Sequence, residues 1–432
     1  MTFRIEWEPA PGVSHPVLAR TWARIEIAIG DTCVTTVLDR QGGGTRTGIY
    51  GPTFVLAEWI VRNFWFLLWE STSGVAPTPA WLRRHSLATA REGTSLPRLQ
   101  CYRDEEKIVA AWARDPHERD SRPVTFIESG TAELDVAVVQ ARLSDFVDLV
   151  LDQVRNLDHP DVVGLREDWK AITSATGNDA LLCRRAARMG LDAYDPSEVS
   201  DELATLLTEG VGRLPVATGD DLLDAAVAPE KLASSIATVC EAVRADASRA
   251  PQVVKGTPKL ELEHRRNGLR PYEQGYALAD ALRNQLKQQP DGPFDLKRAL
   301  ASLRWSDVHQ PQESWTQLDY NVKGAVGMSP NGTPCLLARP GRATADRFLV
   351  ARGLYALLSG ATATAPRLLT SAGTRLQSAS RAFAAELLAP AAALRARVPG
   401  RLDDERVDDL AQEFDVSPMV IHYQLENQAG LA

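Results

Sequence analysis

Apolar and polar residues alternate with a period of two along much of the first fifty positions. Phe3-Arg-Ile-Glu-Trp7, Arg24-Ile-Glu-Ile-Ala-Ile29 and Thr32-Cys-Val-Thr-Thr-Val-Leu38 are rich in β-branched and aromatic residues, a pattern that predicts half-buried strands. Gly30-Asp31 predicts a hairpin turn between the last two. The glycine run Gln41-Gly-Gly-Gly-Thr45 invites a phosphate-loop reading. It lacks the lysine that such a loop needs and does not join a strand to a helix, so a hairpin loop is expected.

At residue 54 the period lengthens. Residues 54–70 predict a helix carrying Trp59, Trp65 and Trp69, with Trp65 and Trp69 on one face as core. The run contains Glu58 and Arg62 and falls short of the roughly 20 apolar residues that cross a bilayer. A loop at 71–79, strands at 124–127 and 134–139, and an amphipathic helix at 143–155 complete a predicted α+β domain over 1–157. Residues 158–246 read as a helical region, with segments at 180–189, 198–207, 222–226 and 232–243. Residues 247–265, rich in Pro, Lys, Gly and Arg, read as a linker. Residues 266–432 predict helices at 272–286, 294–303, 348–358, 375–388, 407–414 and 418–427, with short strands at 325–328 and 334–338. The expected fold class is therefore α+β: an amino-terminal α+β domain, a helical middle, and a mainly helical carboxy-terminal domain.

Composition changes this picture little. The net charge of −8 over 432 residues argues against broad nucleic-acid or membrane-surface binding. The five cysteines, Cys33, Cys101, Cys183, Cys240 and Cys335, are scattered and form no CxxC. They fit reduced thiols, and with a charged amino terminus they lead to an expected cytoplasmic location.

In the last third, four segments occur in a telling order. Pro271-Tyr-Glu-Gln-Gly-Tyr-Ala-Leu-Ala279 with Leu282-Arg283 resembles the opening helix of ImmA/IrrE family metallo-endopeptidases. Arg347-Phe-Leu-Val-Ala351 resembles the run into that family's zinc helix. Ser380-Arg-Ala-Phe-Ala-Ala-Glu-Leu-Leu-Ala-Pro390 is similar to its second conserved helix. Leu410-Ala-Gln-Glu-Phe-Asp-Val-Ser417 is similar to its terminal helical hairpin. The resemblance covers about 265–432 and implies a zincin-like fold.

Family members place two histidines at i and i+4 on the zinc helix, where they share a face and bind the metal, with a glutamate that activates water. Here Arg352 and Ala356 stand at the histidine positions, Gly353 at the glutamate position, and Gln377 at that of the downstream ligand. From Arg347 to Ala385 there is no His, Cys, Asp or Glu, so no shift of alignment restores a site. The other His-Glu pair, His117-Glu118, has Ser121 where a second histidine would stand. No metal and no cofactor is expected.

The same window carries Arg347, Arg352, Arg375 and Arg381, candidate anion-binding residues because guanidinium groups suit phosphate and carboxylate. A carboxylate from Glu386 or from 403–409 is the competing partner for Arg352. The tail from Asp403 onward is acidic, with Arg406 its only lysine or arginine. Its helix-turn-helix-like pattern is therefore expected to pack on the domain or meet the arginine window, and DNA binding through it is not expected. By resemblance, the expected function is that of a pseudo-peptidase. It would bind or regulate another protein, or take an anionic small ligand, in a setting such as phage defence or mobile-element control. The alternative is an enzyme with a non-zinc site in the amino-terminal region or a rebuilt carboxy-terminal cleft.

Overall fold

The computed structural model describes the chain apart from residues 11, 41, 73–76, 91–93, 117–122, 248–268, 304, 306–308, 329–333, 399–402 and 430–432. His117-Glu118, His264 and nearly all of the expected linker lie outside the described residues. The fold is mixed α+β and divides into two compact units, Met1–Ser200 and Asp201–Ala432.

In the first unit the alternating segments form strands. β1 (Thr2–Trp7) pairs antiparallel with β2 (Trp22–Ile29), and α1 (Pro16–Arg20) lies between them in sequence. Gly30, at φ +57, turns β2 into β3 (Thr32–Cys33). The expected strand 32–38 is interrupted here. Thr35 is buried and its hydroxyl accepts from the Ile27 amide at 3.0 Å, so the chain bends before β4 (Val37–Asp39). The glycine run is a hairpin loop from β4 to β5 (Gly44–Arg46), and β6 (Ile49–Pro52) returns to β2.

α2 (Thr53–Trp69) is nearly all apolar and lies in the middle of the first core. α3 (Pro79–His85) precedes a hairpin of β7 (Arg98–Asp104) and β8 (Lys107–Ala113), closed by Glu105 at φ 53. β9 (Val124–Phe126) joins β4, and β10 (Gly130–Asp135) joins β8. The expected strand at 134–139 stops at Asp135, because Val136 opens α4 (Val136–Gln153). Val139, Leu143, Phe146, Val147 and Val150 make a buried helical stripe, and that packing overrides the β propensity of the valines.

α5 (Pro160–Ser174) and α6 (Gly177–Arg188) complete this unit, so the helical middle does not stand as a region of its own. Val162, Leu165, Trp169 and Ile172 join the first core, and Trp169 meets Phe64 edge-on at 5.3 Å. Residues 201–246 group instead with the carboxy-terminal third.

The second unit begins with α7 (Asp201–Thr205), α8 (Val216–Asp224), α9 (Pro229–Ala247), α10 (Pro271–Gln285) and α11 (Leu296–Ser302). A four-stranded sheet follows: β11 (His309–Pro311), β12 (Val322–Met328), β13 (Pro334–Ala338) and β14 (Arg367–Thr370), in the order β11-β13-β12-β14. α12 (Ala343–Leu358) and α13 (Arg375–Leu388) flank β14 in sequence, and α14 (Ala391–Arg397), α15 (Asp404–Phe414) and α16 (Pro418–Ala429) end the chain. α10 and α13 cross in contact at Gly275, where a Cβ would lie 2.4 Å from the Ala379 carbonyl oxygen. Phe414 and Ile421 are buried, so α15 and α16 pack on the unit. Among the described residues no helix is long and apolar enough to cross a membrane.

Candidate functional site around Arg352

α12 and α13 pack together, with the Tyr355 and Phe383 rings 5.6 Å apart, and Leu354, Leu358, Leu376 and Leu387 lie with them in the second core. Between them sits Arg352, only 5% exposed. Its Nε donates to Ser380 Oγ at 3.2 Å, and one terminal nitrogen donates to Gln377 Oε1 at 2.5 Å and to the Thr370 carbonyl at 2.8 Å. Two positions that the resemblance assigns to lost zinc ligands, Arg352 and Gln377, are thus in direct contact. Ala356, one turn on from Arg352, is also buried.

Gln377 is itself engaged through both its amide oxygen and its amide nitrogen. Its Oε1 accepts from the Thr370 amide at 2.9 Å, and its Nε2 donates to the Leu368 carbonyl at 2.7 Å. Ser380 donates to the Gln377 carbonyl at 2.9 Å. Gly353 lies over the sheet, where a Cβ would make ordinary contacts with Leu336 and Val326.

Among the described residues no carboxylate pairs with Arg352. Glu386, the nearest acid in sequence, accepts instead from Gln424 Nε2 at 2.8 Å and from the Ala391 amide at 3.3 Å, and burial pushes its carboxyl up. Burial, and then the charge of Arg381, pull the Arg352 guanidinium down to about 9, which still leaves it charged at neutral pH. Its charge is held by neutral oxygens. That arrangement engages Nε and one terminal nitrogen without cancelling the charge.

The arginines of the window separate into two groups. Arg352 and Arg381 are electrostatically coupled; Arg381 donates to the Ala372 carbonyl at 2.9 Å. Arg347 points elsewhere, pairing with Asp415 at 2.6 Å and donating to the Phe294 carbonyl at 2.5 Å. The acidic tail therefore does meet the arginine window, at Asp415. Arg375 opens α13, half-buried. Sequence reasoning missed a further cation, Lys323 on β12. Burial, then Arg339 and Arg352, draw its ammonium down to about 8. Its signal is weak, a lone lysine beside Tyr320, over whose ring the Nζ sits at 3.1 Å.

Arg283, in the segment that resembles the opening family helix, repeats the device. It donates to the Leu387 carbonyl at 2.7 and 2.9 Å and to the Gln289 carbonyl at 2.6 Å, and so ties α10 to the end of α13.

Among the described residues of the first unit, Glu70 and His85 stand in the contact that a catalytic dyad would make. The His85 Nε2 lies 3.0 Å from Glu70, and its Nδ1 lies 2.6 Å from the Cys101 carbonyl. Arg84 also binds Glu70, through Nε at 2.7 Å. Burial opposes ionisation of Glu70, but the bonds from His85 and Arg84 outweigh it and hold its carboxyl below the usual range. Both ring nitrogens are engaged and the ring is fully buried, which makes this a structural cluster.

No family model matches the chain, no curated protein matches its sequence, and no solved structure matches its fold.

Proposed function

We propose that the second unit is a degenerate ImmA/IrrE-like domain that binds a partner protein and does not cleave by a metal-dependent mechanism. The observation that carries this reading is the Arg352–Gln377 contact at 2.5 Å. Residues placed at two ligand positions by motif order alone, 25 apart in sequence, meet between the two expected helices. The hydrogen bonds they make join α12, α13 and β14, the joining role that a bound metal has in zinc domains. With Arg352, Ala356 and Gln377 at the ligand positions, no group there activates water, and binding is the function left to the surrounding surface.

The test is to rebuild the site. In the variant Arg352→His, Ala356→His, Gln377→Glu, helices in the family arrangement would present two imidazoles and a carboxylate to one point. Cobalt titration of this folded variant is expected to show one equivalent more than the Arg352 parent takes up, with the visible bands of an added four- or five-coordinate centre. A folded triple variant without any new metal site would remove the basis for the reading.

A further inference from the structure

A second constellation lies far from Arg352 in sequence, within the first unit. The dipeptides His15-Pro16 and His159-Pro160 open α1 and α5, with each histidine as the N-cap. Proline at the first helical position fixes φ and forces the preceding residue into extended backbone. His15 has φ −72, ψ 121 and His159 has φ −139, ψ 136. The two rings come together at 4.9 Å between centroids, inclined at 64°. Asp161, in the first turn of α5, completes the group. Its Oδ2 lies 3.6 Å from His15 Nε2 and 3.5 Å from His159 Nδ1, and all three residues offer ligand atoms within 4.8 Å of one another.

We propose that His15, His159 and Asp161 form a binding site for a zinc-class divalent cation. The carboxylate distances separate the alternatives. At 3.5 and 3.6 Å they exceed good hydrogen bonds, which lie at about 2.7–3.2 Å. They come close to the edge of a tetrahedron whose metal–ligand bonds are about 2.0–2.1 Å, which is roughly 3.3–3.4 Å. The two imidazole nitrogens lie within 4.8 Å of each other and would close to about that edge length for all three groups to hold one ion. The His15 ring is also uncommitted: its Nδ1 is enclosed and has no hydrogen-bond partner among the described residues. His159 Nδ1 accepts only a long bond, 3.3 Å, from the Asp161 amide.

Imidazole and carboxylate together suit zinc and its neighbours better than calcium or magnesium. The amino end of α5 is the unfavourable dipole end for a cation, but the full charge of Asp161 outweighs that partial one. Three protein ligands leave a coordination position for water or for a small anion. The site clips the start of α1 to the start of α5, across 144 residues of chain. The two histidines share no local motif, so ligand spacing along the sequence does not reveal the site.

The experiment uses the full chain, stripped of metal with a chelator and titrated near pH 7 with zinc by calorimetry and with cobalt by absorption. The wild-type chain keeps Arg352, so uptake reports on this cluster and not on a rebuilt carboxy-terminal site. One saturable equivalent is expected. His15→Gln and Asp161→Asn, both at partly exposed positions, are each expected to weaken zinc binding by about tenfold or more, while His422→Gln leaves it unchanged. Wild type without a saturable equivalent would overturn the proposal. So would folded His15 and Asp161 variants, verified by circular dichroism, that bind zinc as wild type does.

Discussion

Replacing Arg352 separates volume from charge, which the folded chain holds together in one side chain. Truncation to alanine opens a cavity and strips the Thr370 carbonyl and Gln377 of a donor. A cost of about 2–4 kcal/mol is expected. Methionine keeps most of the volume and removes a charge that no carboxylate offsets, so Arg352→Met is expected to fall within about 1 kcal/mol of wild type. Urea denaturation of the two variants reads the difference, and equal losses would mean that the hydrogen bonds outweigh the buried charge. Glu70 supplies the pH dependence. Its folded carboxyl titrates below the ordinary value of 4.5, so its contribution is complete above that range and lost as pH falls through the lower folded value. Glu70→Gln is expected to cost about 3–5 kcal/mol at pH 7, and the gap from wild type to close as denaturation is repeated toward pH 3. At this scale the sequence showed where Arg352 stands but not what it touches. It posed a choice between a carboxylate and a bound anion, and the chain uses neutral oxygens from Gln377, Ser380 and Thr370. Two of these lie on a helix that periodicity locates well. The third lies on β14, whose four residues Arg367-Leu-Leu-Thr370 show no alternation for a strand pattern to catch.

Among elements, the crossing of α10 and α13 depends on one missing side chain. Gly275→Ala gains up to about 1 kcal/mol of helix propensity. It also sets a methyl group 2.4 Å from the Ala379 oxygen and 2.8 Å from the Phe383 amide, and backbone atoms cannot step aside as a side-chain end can. A net loss of about 1–3 kcal/mol is expected from overpacking, measurable as a lowered melting temperature. Long helices such as α2, α12 and α13 were legible because their stripes repeat over several turns. α13 runs over the 375–388 span that the pattern predicts. The β7–β8 hairpin escaped notice although Ile108, Ala110 and Trp112 alternate inward. Its small and polar partners, Cys101 and Arg103, dilute the period.

For the whole molecule, the boundary at Ser200 rather than at 157 carries a consequence for truncation. Val162, Leu165, Trp169 and Ile172 are buried in the first core. At about 1.5–3 kcal/mol for each buried side chain, their loss is comparable with the entire stability of a domain, about 5–15 kcal/mol. A fragment ending at Ser200 is expected to unfold cooperatively in urea, and one ending at Leu157 to show no such transition. The misplaced boundary has a physical origin. Composition shifts where helices replace strands, but which core a helix joins depends on its apolar face meeting a partner, and α5 finds its partner in α2, nearly a hundred residues upstream.

β14 ends its sheet, and backbone groups on the side away from β12 would ordinarily remain open. Here they are occupied by side chains. The Leu368 amide donates to Asp221 at 2.9 Å, the Leu368 carbonyl and Thr370 amide meet Gln377, and the Thr370 carbonyl meets Arg352. Asp221 is itself held by Arg367 at 2.7 and 2.8 Å. Gln377, with one carbonyl and one amide group, imitates the peptide of an adjoining strand. A bare edge is a template for another chain, and this one is sealed from within. A partner that docks on the second unit must therefore come to a surface other than this edge. Removing the seal has a cost beyond stability: Asp221→Ala leaves the Leu368 amide open, and the variant is expected to associate on standing, read as rising light scattering, where wild type stays dispersed.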